Sequence, residues 1–433
     1  MCRGVAMKYW LTVLLVPMLS WAWPLLAAET CVIEAVARDT RSLGPWIDQD
    51  NWLAPENLRV GLQSPGHFMP LLRIDATTAG AVLRPASRIL ELDRIRARDP
   101  LDQQQRDVAF LLATRLYADG VVVLRDGRVA SERYWNGLAA RDQRLLLGGT
   151  RPLLSLLGAI GVAQGKLAPD RAISRYIPAL SGQSGLRKLS VRRLLEGEGR
   201  FGWSPEELGD WLAVGDWLAA AGWRSGASAG GVRSWLSVPG RWERDFAAAA
   251  TFGEAGPEGE LLLWAIAESY RMPLAQVFCQ EVLRKLRPEH SALWLTDARG
   301  NELSTGLALS LRDFARLGQL LIDARSNSRR SRIPSWFIET LTASAGLRTA
   351  KTAELPGLRN GSELRYGFVH LGGAQNRIAI IGPYGNSLYV DLDRRLVIAV
   401  YAAYPREHTA AMRATLEQVW DALAVAAQPP GKR

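Results

Sequence analysis

The sequence predicts an α/β (α+β) fold: an antiparallel sheet built from segments near both ends of the chain, flanked by helices, with an inserted, mostly helical domain between them. Three observations predict it. A β-hairpin pattern stands at residues 120–134, strand-like runs return between residues 366 and 401, and the stretch between carries the apolar spacing of helices. Strands at both ends with helices between them imply one sheet assembled from distant parts of the chain.

Taken in order, the first 28 residues read as a secretory signal. Lys8 supplies the positive start, an apolar run extends to Leu26, and Ala27 and Ala28 are the small residues of a cleavage site. Pro17 and the polar Glu29 and Thr30 disfavour a retained anchor, and Thr30 stands where lipid attachment at Cys31 would want Gly or Ala. The expectation is therefore export, to the periplasm. Removing the signal leaves Cys31 and Cys279, and an oxidising compartment permits a disulfide between them, although their positions do not show that they meet.

A lead segment, 29–118, follows. Its most distinctive run is Asn51-Trp52-Leu53-Ala54-Pro55-Glu56-Asn57, and it ends in a Leu- and Ala-rich helical pattern near 103–117. The main domain is expected over 119–425. In its hairpin, Gly120 to Leu124 is rich in β-branched residues, Asp126-Gly127 is the turn, and Val129 to Tyr134 returns. Pro152 then suits the first turn of a helix, where a missing N–H costs nothing, and the helix closes at Gly165-Lys166. Residues 166–345 read as the helical insertion, with amphipathic candidates at 261–269, 274–286 and 311–324 and a Gly/Ser/Ala-rich loop at 222–240. Strands are expected at 366–370, 377–381, 387–390 and 396–401, a last helix from about 408 to 426, and a disordered tail over 426–433.

Composition narrows the function. The chain has 53 Lys+Arg against 43 Asp+Glu, a formal charge of +10. Arg is interleaved with acids, and the one short basic run is Ser328-Arg329-Arg330-Ser331-Arg332, so no face is built for nucleic acid. Beyond the signal no stretch is apolar enough to span a bilayer. The 16 Trp are dispersed and read as core and groove lining.

Several runs together resemble the serine β-lactamase and penicillin-binding-protein superfamily, most nearly its 6-aminohexanoate-dimer hydrolase branch. They are the Asn51-Trp52 segment, Gly120 to Gly127 with Glu132-Arg133-Tyr134-Trp135-Asn136-Gly137, and Arg175-Tyr176-Ile177-Pro178-Ala179-Leu180. Arg287-Pro288-Glu289-His290, Leu311-Arg312-Asp313-Phe314 and Tyr384-Gly385-Asn386 with Leu388-Tyr389-Val390-Asp391 continue the match. The resemblance implies a β-lactamase/transpeptidase-like fold and amide or ester hydrolysis by a Ser with a Lys three residues later, on one face of a helix start. A Tyr from a second motif and a third strand edge complete such a pocket, and no cofactor or metal is implied.

Counting without gaps from Gly137, the Ser slot is Gly148 and the Lys slot is Arg151. Glycine carries no nucleophile, and a guanidinium stays protonated, so it is no base. Thr150 has a hydroxyl but stands about 200° around the helix from the Ser slot. The Tyr slot falls near Glu254 and its Asn near Gly256. The third edge, Gly382-Pro383-Tyr384-Gly385-Asn386-Ser387, survives best, and Gly382, Tyr384, Gly385 and Asn386 are expected to line the groove. The sequence thus predicts no catalytic residue, only vestigial slots at Gly148, Arg151 and Glu254.

Other patterns carry little. Gly226-Ala227-Ser228-Ala229-Gly230 fits a nucleophile-elbow pattern but lacks the strand-to-helix context. Lys351-Thr352-Ala353 does not continue as a strand, and His67, His290, His370 and His408 lack metal-ligand spacing. Two function classes remain: a non-catalytic envelope protein that binds a peptide or cell-wall fragment, or an active hydrolase using an unrecognised nucleophile or carboxylates such as Glu196, Glu198 and Glu254.

Overall fold

The computed structural model describes residues 1, 30–41, 43–44, 46–76, 82–197, 200–201, 215–226, 230–242, 246–247, 256–326, 331–343, 356–373, 376–406 and 409–428. The signal-like start, Glu198, Glu254, Ser228, the Lys351 run, His408 and the tail from 429 on lie outside the described residues.

The larger sheet has seven antiparallel strands in the order Glu363–Arg365, Phe368–His370, Arg377–Ile381, Ser387–Asp391, Leu396–Ala402, Ala118–Arg125 and Arg128–Tyr134. Its two halves come from the two ends of the domain and join where Val397 pairs with Leu124 and Val400 with Val121. These central strands are buried at nearly every position because helices cover both faces. Side chains alternate along a strand, so Tyr401 and Tyr389 point to opposite faces. Phe314 of helix Leu311–Ser326 stacks on Tyr401 at 5.7 Å, and Trp420 of helix Ala410–Ala426 meets Tyr389 at 5.3 Å.

A second, five-stranded antiparallel sheet runs Cys31–Val36, Leu71–Ala76, Ala292–Thr296, Glu302–Ser310 and Gln143–Leu145. It departs from the sequence expectation. The lead segment supplies two of its strands, and residues 292–310, read as part of a helical insertion, form its central hairpin. Glu302–Ser310 is buried throughout, so its small and polar residues, Ser304, Thr305 and Gly306, lack the alternation that marks a half-exposed strand. The turn is set by Asp297, whose carboxylate accepts from the backbone N–H of Arg299 and Asn301 and from that of Val232. The lead segment is tied in again by Trp52, stacked on Phe68 at 4.8 Å and on Trp223 at 5.7 Å.

Two links hold the sheets in place. Arg144 and Asp119, both fully buried, pair at 2.5 Å, and Arg144 also donates to Ala402 O at 2.8 Å. Arg59 and Asn136 complete the shell around the Asp119 carboxylate, which leaves the buried charge compensated. Cys31 and Cys279 form a disulfide across 248 residues, stapling the first strand to the helical run from Leu274 to Leu286, which passes through a π turn at Cys279–Leu283.

Candidate functional site

The slot predicted for a nucleophile lies where strand Gln143–Leu145 meets helix Arg151–Ala163. Leu147 adopts a left-handed conformation (φ 49°) to turn the chain into a tight helical turn, Leu147–Thr150, and Pro152 occupies the first turn of the helix as expected. Gly148 is half-buried on that turn. Thr150 is fully buried, and its Oγ1 finds no hydrogen-bond partner, and so no base, among the described residues.

Arg151 turns toward the scaffold. Its Nη2 donates to the carbonyl of Leu194 near the end of helix Val191–Glu196, and Ser155, one turn on, donates to Leu195 O at 3.0 Å. These bonds add side-chain donors to carbonyls of the last turn, where Leu194 O also accepts from Gly197 N. Arg151 Nη1 also lies 3.7 Å from where a Cβ on Gly259 would sit, which places it beside the first turn of helix Pro257–Tyr270. There Glu260, almost fully buried, accepts from Ser304 N at 3.0 Å and from Ser304 Oγ at 2.8 Å. Burial pushes its carboxyl up to about 8 against the opposing pull of Ser304 and Arg151, so Glu260 is largely protonated at neutral pH.

The third edge packs directly on the turn. A Cβ on Gly382 would stand 3.1 Å from Leu146 O and 3.2 Å from Gly149 N, so any larger residue would have to push these backbone atoms aside by a few tenths of an ångström. Asn386 is fully buried with its amide committed: Nδ2 donates to Leu145 O at 3.0 Å and Oδ1 accepts from Ala402 N at 3.3 Å. Tyr384 is buried in a left-handed conformation (φ 59°). Gly385, at φ 96°, lies against the ring of Tyr404. On another side, Gly367 leans on Pro152, and Tyr366 donates to Glu196 Oε1 at 3.4 Å.

The structure therefore brings Gly148, Arg151, Gly382, Tyr384, Gly385 and Asn386 into one neighbourhood, with Gly256 at the N-cap of helix Pro257–Tyr270. Glu260, Ser304 and Tyr366 escaped the sequence reading. One signal pointed to Glu260: Pro257 followed by Glu258 and Glu260 is a helix-start pattern, and it extends the expected helix four residues toward its N-terminus. His67, His290 and His370 sit apart, and among the described residues no group of His, Cys, Asp or Glu is placed to hold a metal.

The family model described as Beta-lactamase matches residues 104–419. The chain belongs to the beta-lactamase family. Solved structures agree in fold. A Bacillus anthracis protein described as a candidate 6-aminohexanoate-dimer hydrolase matches with a TM-score of 0.75 at 18% identity, over 90% of this chain and 98% of that one. A candidate beta-lactamase from Bacteroides dorei gives 0.54 at 14%, over 75% and 98%. The octameric penicillin-binding protein homologue from Pyrococcus abyssi gives 0.50 at 14%, over 75% and 77%. The beta-lactamase match begins within the lead segment, whereas the Bacillus anthracis protein extends the likeness over 90% of the chain.

Proposed function

We propose that this beta-lactamase-family chain is an exported, non-catalytic binding protein of the cell envelope, which keeps the family groove for a peptide or cell-wall fragment and has lost the serine chemistry. The observation that carries the reading is Arg151. A side chain at the Lys slot must be able to shed a proton, and a guanidinium that donates to Leu194 O beside a buried Glu260 does not. With no side chain at Gly148 and no partner for the Thr150 hydroxyl among the described residues, this turn supplies no activated nucleophile for acyl transfer.

What the neighbourhood offers instead is a shaped wall. Asn386 fixes the edge strand to the turn, Gly382 lets the two backbones approach closely, and the buried Tyr384 and Gly385 hold the shape of that edge from behind. The test is incubation of the full chain with a fluorophosphonate and with a fluorescent penicillin. No covalent label is expected from either. A labelled Ser or Thr, located by peptide mapping, overturns the reading.

The second reading, hydrolysis by carboxylates, draws on the Ser304–Glu260 pair beside Arg151, though both members are nearly inaccessible. A chromogenic ester panel is expected to show no turnover above buffer. Turnover abolished by Glu260→Gln or Glu254→Ala would establish this alternative.

A further inference from the structure

The far end of helix Pro257–Tyr270 carries a different kind of site. A cleft of about 690 Å³ opens there between the first two strands of the smaller sheet, the turn at Gly300–Asn301 and the start of the next helix. Its volume falls within the range of about 300–1,000 Å³ usual for small-molecule sites. The helix spans 14 residues, about 20 Å at 1.5 Å per residue, so this cleft is separate from the Gly148 neighbourhood.

Among the described residues, none of the charges around it is in an ion pair. Elsewhere guanidiniums find carboxylates at short range, as Arg312 does with Glu132 and Glu289, both at 2.8 Å, and Arg316 with Glu289 at 2.8 Å. Arg233 has no carboxylate partner among the described residues; it lies over the Trp264 ring, 5.1 Å from its centroid. Arg271, exposed at the helix end, has no carboxylate partner among the described residues either. Between them Glu268 uses only Oε1, which accepts from Trp264 Nε1 at 2.9 Å. The remaining carboxylate, Glu302, is buried and accepts from Ala275 N. The floor, including Ile33, Leu72 and Met272, is apolar.

The walls are also held. Ile33 shares a strand face with Cys31, two residues away, and Gln276 shares a helix face with Cys279, three residues away. The disulfide thus pins the two sides of the cleft to each other.

We propose that this cleft binds a short peptide with free ends, its carboxylate taken by Arg271 and Arg233, its ammonium by Glu268, and its apolar side chains by the floor. Two cations and two acids, one of them the buried Glu302 already bonded to Ala275 N, around an apolar floor fit a ligand carrying both charges better than a simple anion, which Glu268 would repel. The proposal does not depend on the state of the Gly148 slot.

The test is calorimetric titration of the intact chain with alanyl-leucine, alongside acetyl-alanyl-leucine and alanyl-leucine amide, each of which lacks one charge. Alanyl-leucine is expected to bind saturably at one per chain, with a change in Trp264 fluorescence. Each blocked peptide is expected to bind at least tenfold more weakly. Arg271→Met and Glu268→Gln, both exposed and expected to fold normally, should weaken binding at least tenfold without moving the Tm of the free protein. No saturable binding, equal binding of the blocked peptides, or binding unchanged in both variants overturns the proposal.

Discussion

The two ends of helix Pro257–Tyr270 treat arginine in opposite ways. At its start, Arg151 reaches over from a neighbouring helix and is spent on a backbone carbonyl, next to a protonated carboxyl. At its end, Arg233 and Arg271 line a cleft and, among the described residues, form no ion pair with a carboxylate. A buried cation must find acceptors within the protein, because leaving it unpaired costs several kcal/mol, and once found they hold it still. An exposed cation has water as its partner and stays available to a ligand. At the Gly148 end the arginine is held on the scaffold, whereas the arginines at the other end line an open cleft.

That contrast can be broken by stability measurements. The largest effect should come from the staple beside the open cleft. Replacing both Cys31 and Cys279 with Ala releases a loop of 248 residues and should cost about 4 kcal/mol, read by denaturant unfolding. Next, Gly385→Ala tests whether the third edge is rigid. A Cβ there takes a left-handed φ of 96° and overlaps the Tyr404 ring, so a loss of about 2–3 kcal/mol is expected. Arg151→Met removes a charged donor from Leu194 O and should cost about 1.5–3 kcal/mol. Arg271→Met, exposed and unpaired, should stay within about 0.5 kcal/mol of the parent. Equal costs at Arg151 and Arg271 would abolish the distinction between the two ends.

A pH series sharpens the same point. The folded protein holds the Glu260 proton up to about 8, whereas the unfolded chain releases it near 4.5. Between those values the folded state binds more protons, so stability is fully present below the lower value and falls as pH rises toward about 8. Unfolding curves across that window should show the decline in the parent and a flatter profile in Glu260→Gln, whose amide does not titrate.

Much of the larger sheet was readable beforehand. Arg377–Ile381 occurs with the expected bounds, and Ser387–Asp391 and Leu396–Ala402 each run one residue beyond them. These strands consist of long apolar runs, so local pattern and tertiary role agree. The Leu- and Ala-rich pattern at 103–117 fared less well. It becomes strand Gln105–Asp107 and then a short helix opened by Asp107, whose carboxylate caps Phe110 N, before a π turn at Leu111–Arg115. Residues 292–310 were missed for the opposite reason. Buried on both faces and carrying Ser, Thr and Gly, they match neither period.

The slots themselves were a matter of counting, and the structure places Gly148, Arg151 and the Gly382–Asn386 edge side by side. What counting could not supply is where Arg151 points. Nor could it reveal the proton on Glu260 or the cleft beside the disulfide, since each depends on groups far apart in the chain.

By itself, then, the sequence determined which side chains stand at each slot it assigned, and with them what those side chains can supply, because a missing hydroxyl or a permanent charge is a covalent fact that no fold can alter. Only the tertiary structure decided how the remaining charges are used, because desolvation and hydrogen-bond partners arise from residues brought together across the chain.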